Sequence, residues 1–321
     1  MNDNYYQKFP PHGFPKNNDL KVIFTSGERV DYEGYINAHP QRKVQIDRAR
    51  GFLDAFEADR ERRQRALRGI LKHRHRNNTV LAMTLNRGFA ELLLNWVESC
   101  DRHNIEVRSW TVIAALDENT AQMFEQLGFA VYYPGPAYGL QIDRAVDCYG
   151  DGNFRDMMFA KNAVVKDLLD IGFNVLFQDV DLVWLKDPWD FLEAPDRGML
   201  DAQFMYDGPN PNYAPLHANS GFFFLRNTPQ CRNFWQQVFD NFDKVYVYGG
   251  QQQAVNQLLV HHYFRGLKLD LLGEAEFANG HLFTLDDVSR LPPDPYVIHC
   301  SWTSNLEHKL KKYRLAKLWF L

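Results

Sequence analysis

From Thr79 onward, short apolar runs alternate with segments whose apolar residues recur every three or four positions. Runs of the first kind are Val80–Leu85, Trp110–Leu116, Phe129–Tyr133 and Asn174–Gln178, and their length predicts buried strands. Segments of the second kind are Phe89–His103, Thr120–Leu127 and Phe154–Ile171, and they predict helices; Gly128 and Gly172 stop the last two. This strand–helix alternation predicts an α/β fold with a mostly parallel central sheet and helices on both faces. After Asp181 the pattern loosens into mixed aromatic and polar residues around Tyr206–Tyr213. A strand over Gly221–Leu225, helices near Gln230–Phe242 and Gln251–His262, a strand over Tyr296–Cys300 and a basic helix over Leu306–Leu321 complete the prediction.

Upstream, residues 41–76 carry Phe52, Leu53, Phe56, Leu67, Ile70 and Leu71 at helical spacing, interrupted at Gly51 and Gly69. Residues 1–40 read as an irregular arm with a short strand at Lys21–Thr25. No internal repeat or linker divides the rest. The expected organisation is therefore an N-terminal arm with an amphipathic basic helix (1–76) and one domain (77–321).

The chain has 321 residues, 45% apolar and 24% charged, which suits a globular protein and excludes disorder, a collagen-like repeat or a disulfide scaffold. No apolar run approaches a membrane span, and the N-terminus has no signal-like stretch. The reading is a cytoplasmic protein as given, or a Golgi-lumen one if the chain is a truncated piece of an anchored protein. Net charge is −4, yet residues 41–76 carry +7, with 12 Lys/Arg against 5 Asp/Glu, and leave −11 for the remainder. An acidic body is wrong for a nucleic-acid binder. The basic helix is a solvated face, or a contact surface for a partner subunit, including a second copy, or for an anionic polymer. Cys100, Cys148, Cys231 and Cys300 have no CxxC spacing, which argues against zinc fingers and favours reduced, mostly buried thiols, with two disulfides as the alternative. One glycosylation sequon stands at Asn77-Asn78-Thr79.

Candidate chemistry gathers just past the strand ends, at Asn86, Asp117, Asp179 and Asp181, and in open α/β sheets that edge binds ligands. In Val175–Leu185 an apolar strand ends in two carboxylates one residue apart, and another apolar run follows. Their repulsion calls for a hard cation, and Mg²⁺ or Mn²⁺ takes one or two carboxylates plus phosphate oxygens. His299, at the end of a later strand, would complete such a site, and Lys309 could neutralise phosphate. Two chemistries fit. One is a haloacid-dehalogenase-like phosphatase, with Asp179 as nucleophile, Asp181 as acid/base and Asp286-Asp287 as later metal ligands. The other is a metal-dependent glycosyltransferase. Three strands and three helices precede Asp179, which suits the second.

The sequence resembles the GT77-type nucleotide-diphospho-sugar transferases from about Thr79 to Trp319. The resemblance rests on Met83-Thr84-Leu85-Asn86 with Leu94-Asn95-Trp96, on Ala114–Asp117, on Gly172–Pro188, on Asn219–Arg226, on Asn256–Leu259 and on His299–Lys309 with Trp319. It implies a GT-A fold and a retaining transfer from a nucleotide sugar, most often UDP-linked, to a glycan or glycoprotein acceptor. It also implies roles. Thr84 and Asn86 would line the nucleotide pocket, and Asp117 would contact base or ribose. Asp179, Asp181 and His299 would hold Mn²⁺ or Mg²⁺. Lys309 would meet the diphosphate, with Lys161 and Trp302 close to the donor. Asp201, Gln203 and Asn219 would lie near the sugar or acceptor, with Gln251 and Gln252 at the reaction centre. Trp184, Trp189, Tyr206, Tyr213 and Trp302 are candidate sugar-stacking aromatics. The family usually carries Asp-Gln where this chain has Gln251-Gln252. The missing carboxylate favours an ion-pair transition state over a covalent glycosyl-enzyme, or else signals a nucleotide-sugar or glycan-binding protein without turnover. The loop around Asp207–Leu216 and the N-terminal arm are where specificity would sit.

Overall fold

The computed structural model describes residues 40–134, 138, 140, 152–210, 213–243, 251–303 and 305–321. Strand β1 (Thr79–Leu85) is buried along its whole length and lies next to β2 (Thr111–Ala115) and β4 (Asn174–Gln178), both parallel to it. β3 (Ala130–Tyr132) extends the parallel set beyond β2. On the other side of β4, β7 (Ala218–Leu225) runs antiparallel, followed by β6 (Ala202–Tyr206) and β8 (Leu269–Leu272). The seven-stranded order is β3-β2-β1-β4-β7-β6-β8. Only β7 is reversed, so β1, β2, β4 and β6 all finish on one edge. This is the mostly parallel α/β sheet that the alternation predicts. A small second sheet places β10 (Val297–His299) between β5 (Leu182–Trp184) and β9 (Phe277–Asn279).

Helices cover both faces. α1 (Pro40–Ala58) and α2 (Arg60–Leu71) precede β1, and α3 (Ala90–Arg102) follows it. α4 (Glu118–Gln126) connects β2 to β3, and α5 (Gly152–Asp170) leads into β4. α6 (Trp189–Leu192), α7 (Pro229–Asp240), α8 (Gln251–Tyr263) and α9 (Leu306–Leu315) complete the described set. In α3, Leu92, Leu93, Trp96, Val97 and Cys100 form the buried stripe. Gly128 and Gly172 adopt left-handed conformations (φ +86 and +102) directly after α4 and α5 and end both, as expected.

The 41–76 region is two helices, and the break falls at Asp59 rather than at either glycine. Ile46, Phe52, Leu53, Phe56, Leu67 and Leu71 are buried, and Phe52 stacks on Phe159 of α5 at 5.1 Å. Arg63 is buried with them; it chelates Asp167 of α5 (3.0 and 3.2 Å) and lies over the Phe56 ring at 3.6 Å. The predicted terminal helix stops at Leu315. The tail beyond it is pinned by Asn95, which donates to Leu318 O (3.0 Å) and accepts from Phe320 N (2.7 Å).

Strands β6, β8 and β9 are not foreseen by the periodicity. β6 is nearly all buried, so it shows no alternation, and β8 and β9 have only four and three residues. β7 begins at Ala218, which brings Asn219 and Ser220 into the sheet. Cys100, Cys231 and Cys300 are free, buried thiols. Cys148 and the strand expected at Lys21–Thr25 lie outside the described residues. No described helix is long and apolar enough to cross a membrane.

Candidate active site

A cleft of about 320 Å³ opens over the common edge of β1, β4 and β6. Asp179 and Asp181 enter it where β4 turns toward β5, and His299 enters at the end of β10. The backbone fixes both arrivals: Asp179 N donates to Gly221 O (2.7 Å), and Cys300 N donates to Asp181 O (2.9 Å). One ligand atom each from Asp179, Asp181 and His299 lie within 4.8 Å of one another. Gly221 of β7 makes this convergence possible. A Cβ there would stand 2.4 Å from His299 Cε1, 2.5 Å from Asp179 Oδ2 and 2.9 Å from Asn219 Oδ1.

Two lysines neutralise the two carboxylates. Lys161 of α5, itself 2% exposed, donates to Asp179 Oδ1 at 2.8 Å. Lys309 of α9 donates to Asp181 Oδ2, and His299 Nε2 lies 3.3 Å from Asp181 Oδ1. Burial alone would raise the Asp181 pKa. The charge of Lys309, with the adjoining His299 ring and the hydrogen bonds from both, outweighs it and holds that carboxyl well below the usual carboxylate range. Burial likewise works against the Lys309 ammonium, but Asp181 outweighs it and raises its pKa. The donor set of two carboxylates and one imidazole fits Mg²⁺ or Mn²⁺. His299 Nδ1 is buried without a hydrogen-bond partner among the described residues, so the ring keeps an uncommitted nitrogen.

A second cluster sits beside the first. Asp207, just past β6, accepts from Asn219 Nδ2 (2.5 Å) and from Gln252 Nε2 (2.9 Å). Gln252 Oε1 in turn accepts from Ser220 N at 3.0 Å. Burial pushes the Asp207 carboxyl up to about 6, despite those hydrogen bonds and nearby His299. Gln251 also lines the cleft, is 1% exposed, and has neither amide atom hydrogen-bonded among the described residues. From the sequence, Asp207 is no more than the start of a specificity loop. Its role as a buried carboxylate depends on β6, which the pattern did not reveal.

The structure thus brings Thr84, Lys161, Asp179, Asp181, Asn219, Gln251, Gln252, His299, Trp302 and Lys309 to one cleft. Other candidates lie outside it. Asp117 does not line the cleft; its oxygens accept from Thr120 N (2.9 Å), Thr120 Oγ1 (2.7 Å) and Arg87 N (2.7 Å), so it caps α4 and holds the turn after β1. Asn86 is fully buried and does not line the cleft; its Nδ2 lies 3.9 Å from Sδ of Met157, which does. Asp201 immediately precedes β6, about 20 Å of extended chain from Asp207 at the cleft edge, and accepts from Lys268 N at 2.9 Å. Gln203 is tied to Arg197 and Leu192 O on the same far side. Trp184 and Trp189 pack with Trp110 in the core, while Tyr213 and Trp302 line the cleft and Tyr206 does not. Asp287 accepts from Ser289 N in an exposed turn, and neither it nor Asp286 lines the cleft. The phosphatase reading thereby loses its later acidic ligands.

The sequence pattern of the nucleotide-diphospho-sugar transferases matches residues 107–313, about two thirds of the chain. The chain belongs to this family. The match spans Asp179, Asp181, Asp207, Gln252, His299 and Lys309. Among curated relatives, the chain is 25% identical over 263 residues to the beta-arabinofuranosyltransferase RAY1 of Arabidopsis thaliana. That alignment covers 76% of this chain and 48% of the relative, so the chain spans about half of that protein's length. It is 23% identical over 285 residues to UDP-D-xylose:L-fucose alpha-1,3-D-xylosyltransferase 3 of the same plant, covering 81% of this chain and 71% of the relative. Among solved structures, the glycosyltransferase GlyE of Streptococcus pneumoniae overlaps 74% of this chain and 62% of its own, at 16% identity and a TM-score of 0.45. That superposition is too loose to carry an argument.

Proposed function

We propose that the protein is a metal-dependent, retaining glycosyltransferase of the GT77 type that moves a sugar from a UDP-sugar to a hydroxyl on a glycan or protein. In this reading residues 77–321 are the transferase domain, and 1–76 form an arm and a helical layer on it. The observation that carries the proposal is the convergence of Asp179, Asp181 and His299 with Lys161 and Lys309 in one cleft of a nucleotide-diphospho-sugar transferase. Two carboxylates and two lysines leave the cluster balanced. A divalent cation and a doubly ionised diphosphate bring equal and opposite charge, so both enter without leaving a net charge buried.

Asp179, Asp181 and His299 would hold the cation, which when bound supplies charge neutralisation at the diphosphate. Lys309 and Lys161 are the groups of this chain that would take the phosphate oxygens, an electrostatic contribution of the kind usually largest in catalysis. Gln251, whose amide has no partner among the described residues, offers a donor and an acceptor to sugar hydroxyls, and Gln252 and Asn219 are held in place by Asp207. The acceptor oxygen bonds to the anomeric carbon on the face that the leaving group vacates. The bond from that carbon to the β-phosphate oxygen breaks, the electron pair stays on that oxygen, and it takes the acceptor's proton. A covalent route needs a carboxylate poised to attack. Position 251 is an amide, and both Asp207 oxygens are bound by amides, which supports the same-face route.

The test is incubation with a panel of UDP- and GDP-sugars plus Mn²⁺, counting released nucleoside diphosphate. The expected result is release from at least one UDP-sugar that Asp181→Ala abolishes while thermal unfolding stays cooperative. Release that persists in Asp181→Ala, or none from any sugar nucleotide, would contradict it. The second outcome would favour binding without turnover, the reading that the amide at 251 raises.

A further inference from the structure

The cleft has two ends, and the sheet order sets which is which. At one end stand Thr84 of β1 and Phe89 and Leu92, at the start of α3. The cluster of Asp179, Asp181, His299 and the two lysines follows at β4. The other end, beyond β7, is built by the connection that leaves β6 and by Trp302. A sugar nucleotide with its diphosphate at β4 and its nucleoside toward β1 directs its sugar to Asn219, Gln251 and Gln252. The Trp302 end is then left for the second substrate.

Trp302 is 49% exposed and is the most exposed of the seven tryptophans. Its one polar atom is committed: Nε1 donates to Asp207 O at 3.0 Å. Its ring meets His281 at 5.9 Å. What remains open to the cleft is hydrocarbon. The residue also has φ +57, a left-handed conformation that costs a side chain about 1 kcal/mol or more and persists where the surroundings enforce it. A rigid indole, anchored by its N–H and showing its face beside buried amides and a carboxylate, matches a sugar ring, which is apolar on its C–H face and polar at its rim. A serine or threonine side chain offers no such face.

Resting on the transferase reading, we infer that Trp302 is the stacking platform for the acceptor, and that the acceptor is therefore a sugar ring at a glycan terminus rather than a hydroxyl of a polypeptide. Trp302 is a specificity-determining residue in this account. It contacts the ring that receives the new bond.

The experiment uses the full chain, Trp302→Ala and Trp302→Phe, with methyl pyranosides and methyl furanosides as one acceptor set and N-acetyl-serine and N-acetyl-threonine methyl esters as the other. Two readouts are taken: transfer kinetics with the UDP-sugar found above, and saturation transfer by NMR from protein to methyl glycoside, which needs no turnover. The expected result is transfer to glycosides only. In Trp302→Ala the acceptor KM rises at least tenfold further than the donor KM, and saturation transfer is lost. In Trp302→Phe both are largely kept, which excludes misfolding as the cause. Transfer to the amino-acid esters, a donor KM that rises as much as the acceptor KM, or saturation transfer equal in native protein and Trp302→Ala would each overturn the inference. If no UDP-sugar is turned over, saturation transfer that disappears only in Trp302→Ala still supports the platform while the transferase reading fails. Its absence in the native protein overturns the platform as well.

Discussion

Gly221→Ala adds one methyl group at the point where the proposed cation ligands meet. Gly221 lies in the extended β7 strand, outside the left-handed region, so the substitution acts through the Cβ alone. That Cβ would stand 2.4 Å from His299 Cε1 and 2.5 Å from Asp179 Oδ2, against ordinary contacts of about 3.4 Å or more, so each must retreat by about 1 Å. Metal ligands tolerate only about 0.2 Å of error. Two of three ligands would be displaced by several times that tolerance. Mn²⁺ affinity should fall roughly 100-fold, or about 2.7 kcal/mol. Overpacking should also cost about 1–3 kcal/mol of stability. Calorimetric titration with Mn²⁺ in the presence of UDP reads the first quantity, and urea unfolding reads the second. Gly198→Ala is the control, because its nearest atom would be Pro195 O at 3.5 Å. A Gly221→Ala protein that binds Mn²⁺ as tightly as the native chain would refute the reasoning.

Three further outcomes follow from the same structure. Asp117→Ala removes the cap of α4 and should cost about 1–2 kcal/mol in chemical denaturation; a fall in UDP affinity with no loss of stability would instead make Asp117 a nucleotide contact. Arg63→Met strands the buried Asp167 carboxylate and should cost about 3–5 kcal/mol, whereas Arg63→Met with Asp167→Leu should recover more than half of that; a single-variant cost under about 1 kcal/mol would show that the pair does not pin α2 to α5. Burial raises Asp207 from 3.8 to about 6, so the folded chain holds this proton more tightly than the unfolded chain does, and the stability it contributes is full below about pH 4 and lost as pH rises through about 6. Asp207→Asn should accordingly gain on the native protein by about 2–3 kcal/mol between about pH 4 and pH 7, and a pH-independent difference would contradict that assignment.

The parallel half of the sheet was legible because its strands are continuous apolar runs separated by helical periodicity and glycine stops. Asp179 and Asp181 were legible for a related reason: they follow a run that reads as a buried strand of the parallel set, so their position on the ligand edge follows from topology, whereas His299 ends a strand of the separate small sheet and its approach to them is not fixed by that topology. The far half was not. Ala202–Tyr206 is nearly all buried and has no alternation, and without that strand the resemblance alone put Asp201 near the sugar or acceptor while Asp207 looked like loop. Asp117 shows a different limit. A carboxylate after a strand and before a helix serves equally as ligand contact or helix cap, and only the two bonds to Thr120 decide. Gly221 carried no sequence signal of its own, because its importance lies in the Asp179 and His299 side chains that two distant segments place against it.

The central claim is that Asp179, Asp181 and His299 seat a divalent cation that receives a nucleoside diphosphate. Titration of Mn²⁺ into the protein, with and without UDP, tests it most directly when native chain, Asp181→Asn and His299→Ala are run side by side. The account predicts one Mn²⁺ per native chain, tighter with UDP present, weaker binding in His299→Ala and none in Asp181→Asn. Equal Mn²⁺ binding by the native chain and Asp181→Asn, or UDP binding that ignores the metal, would contradict it.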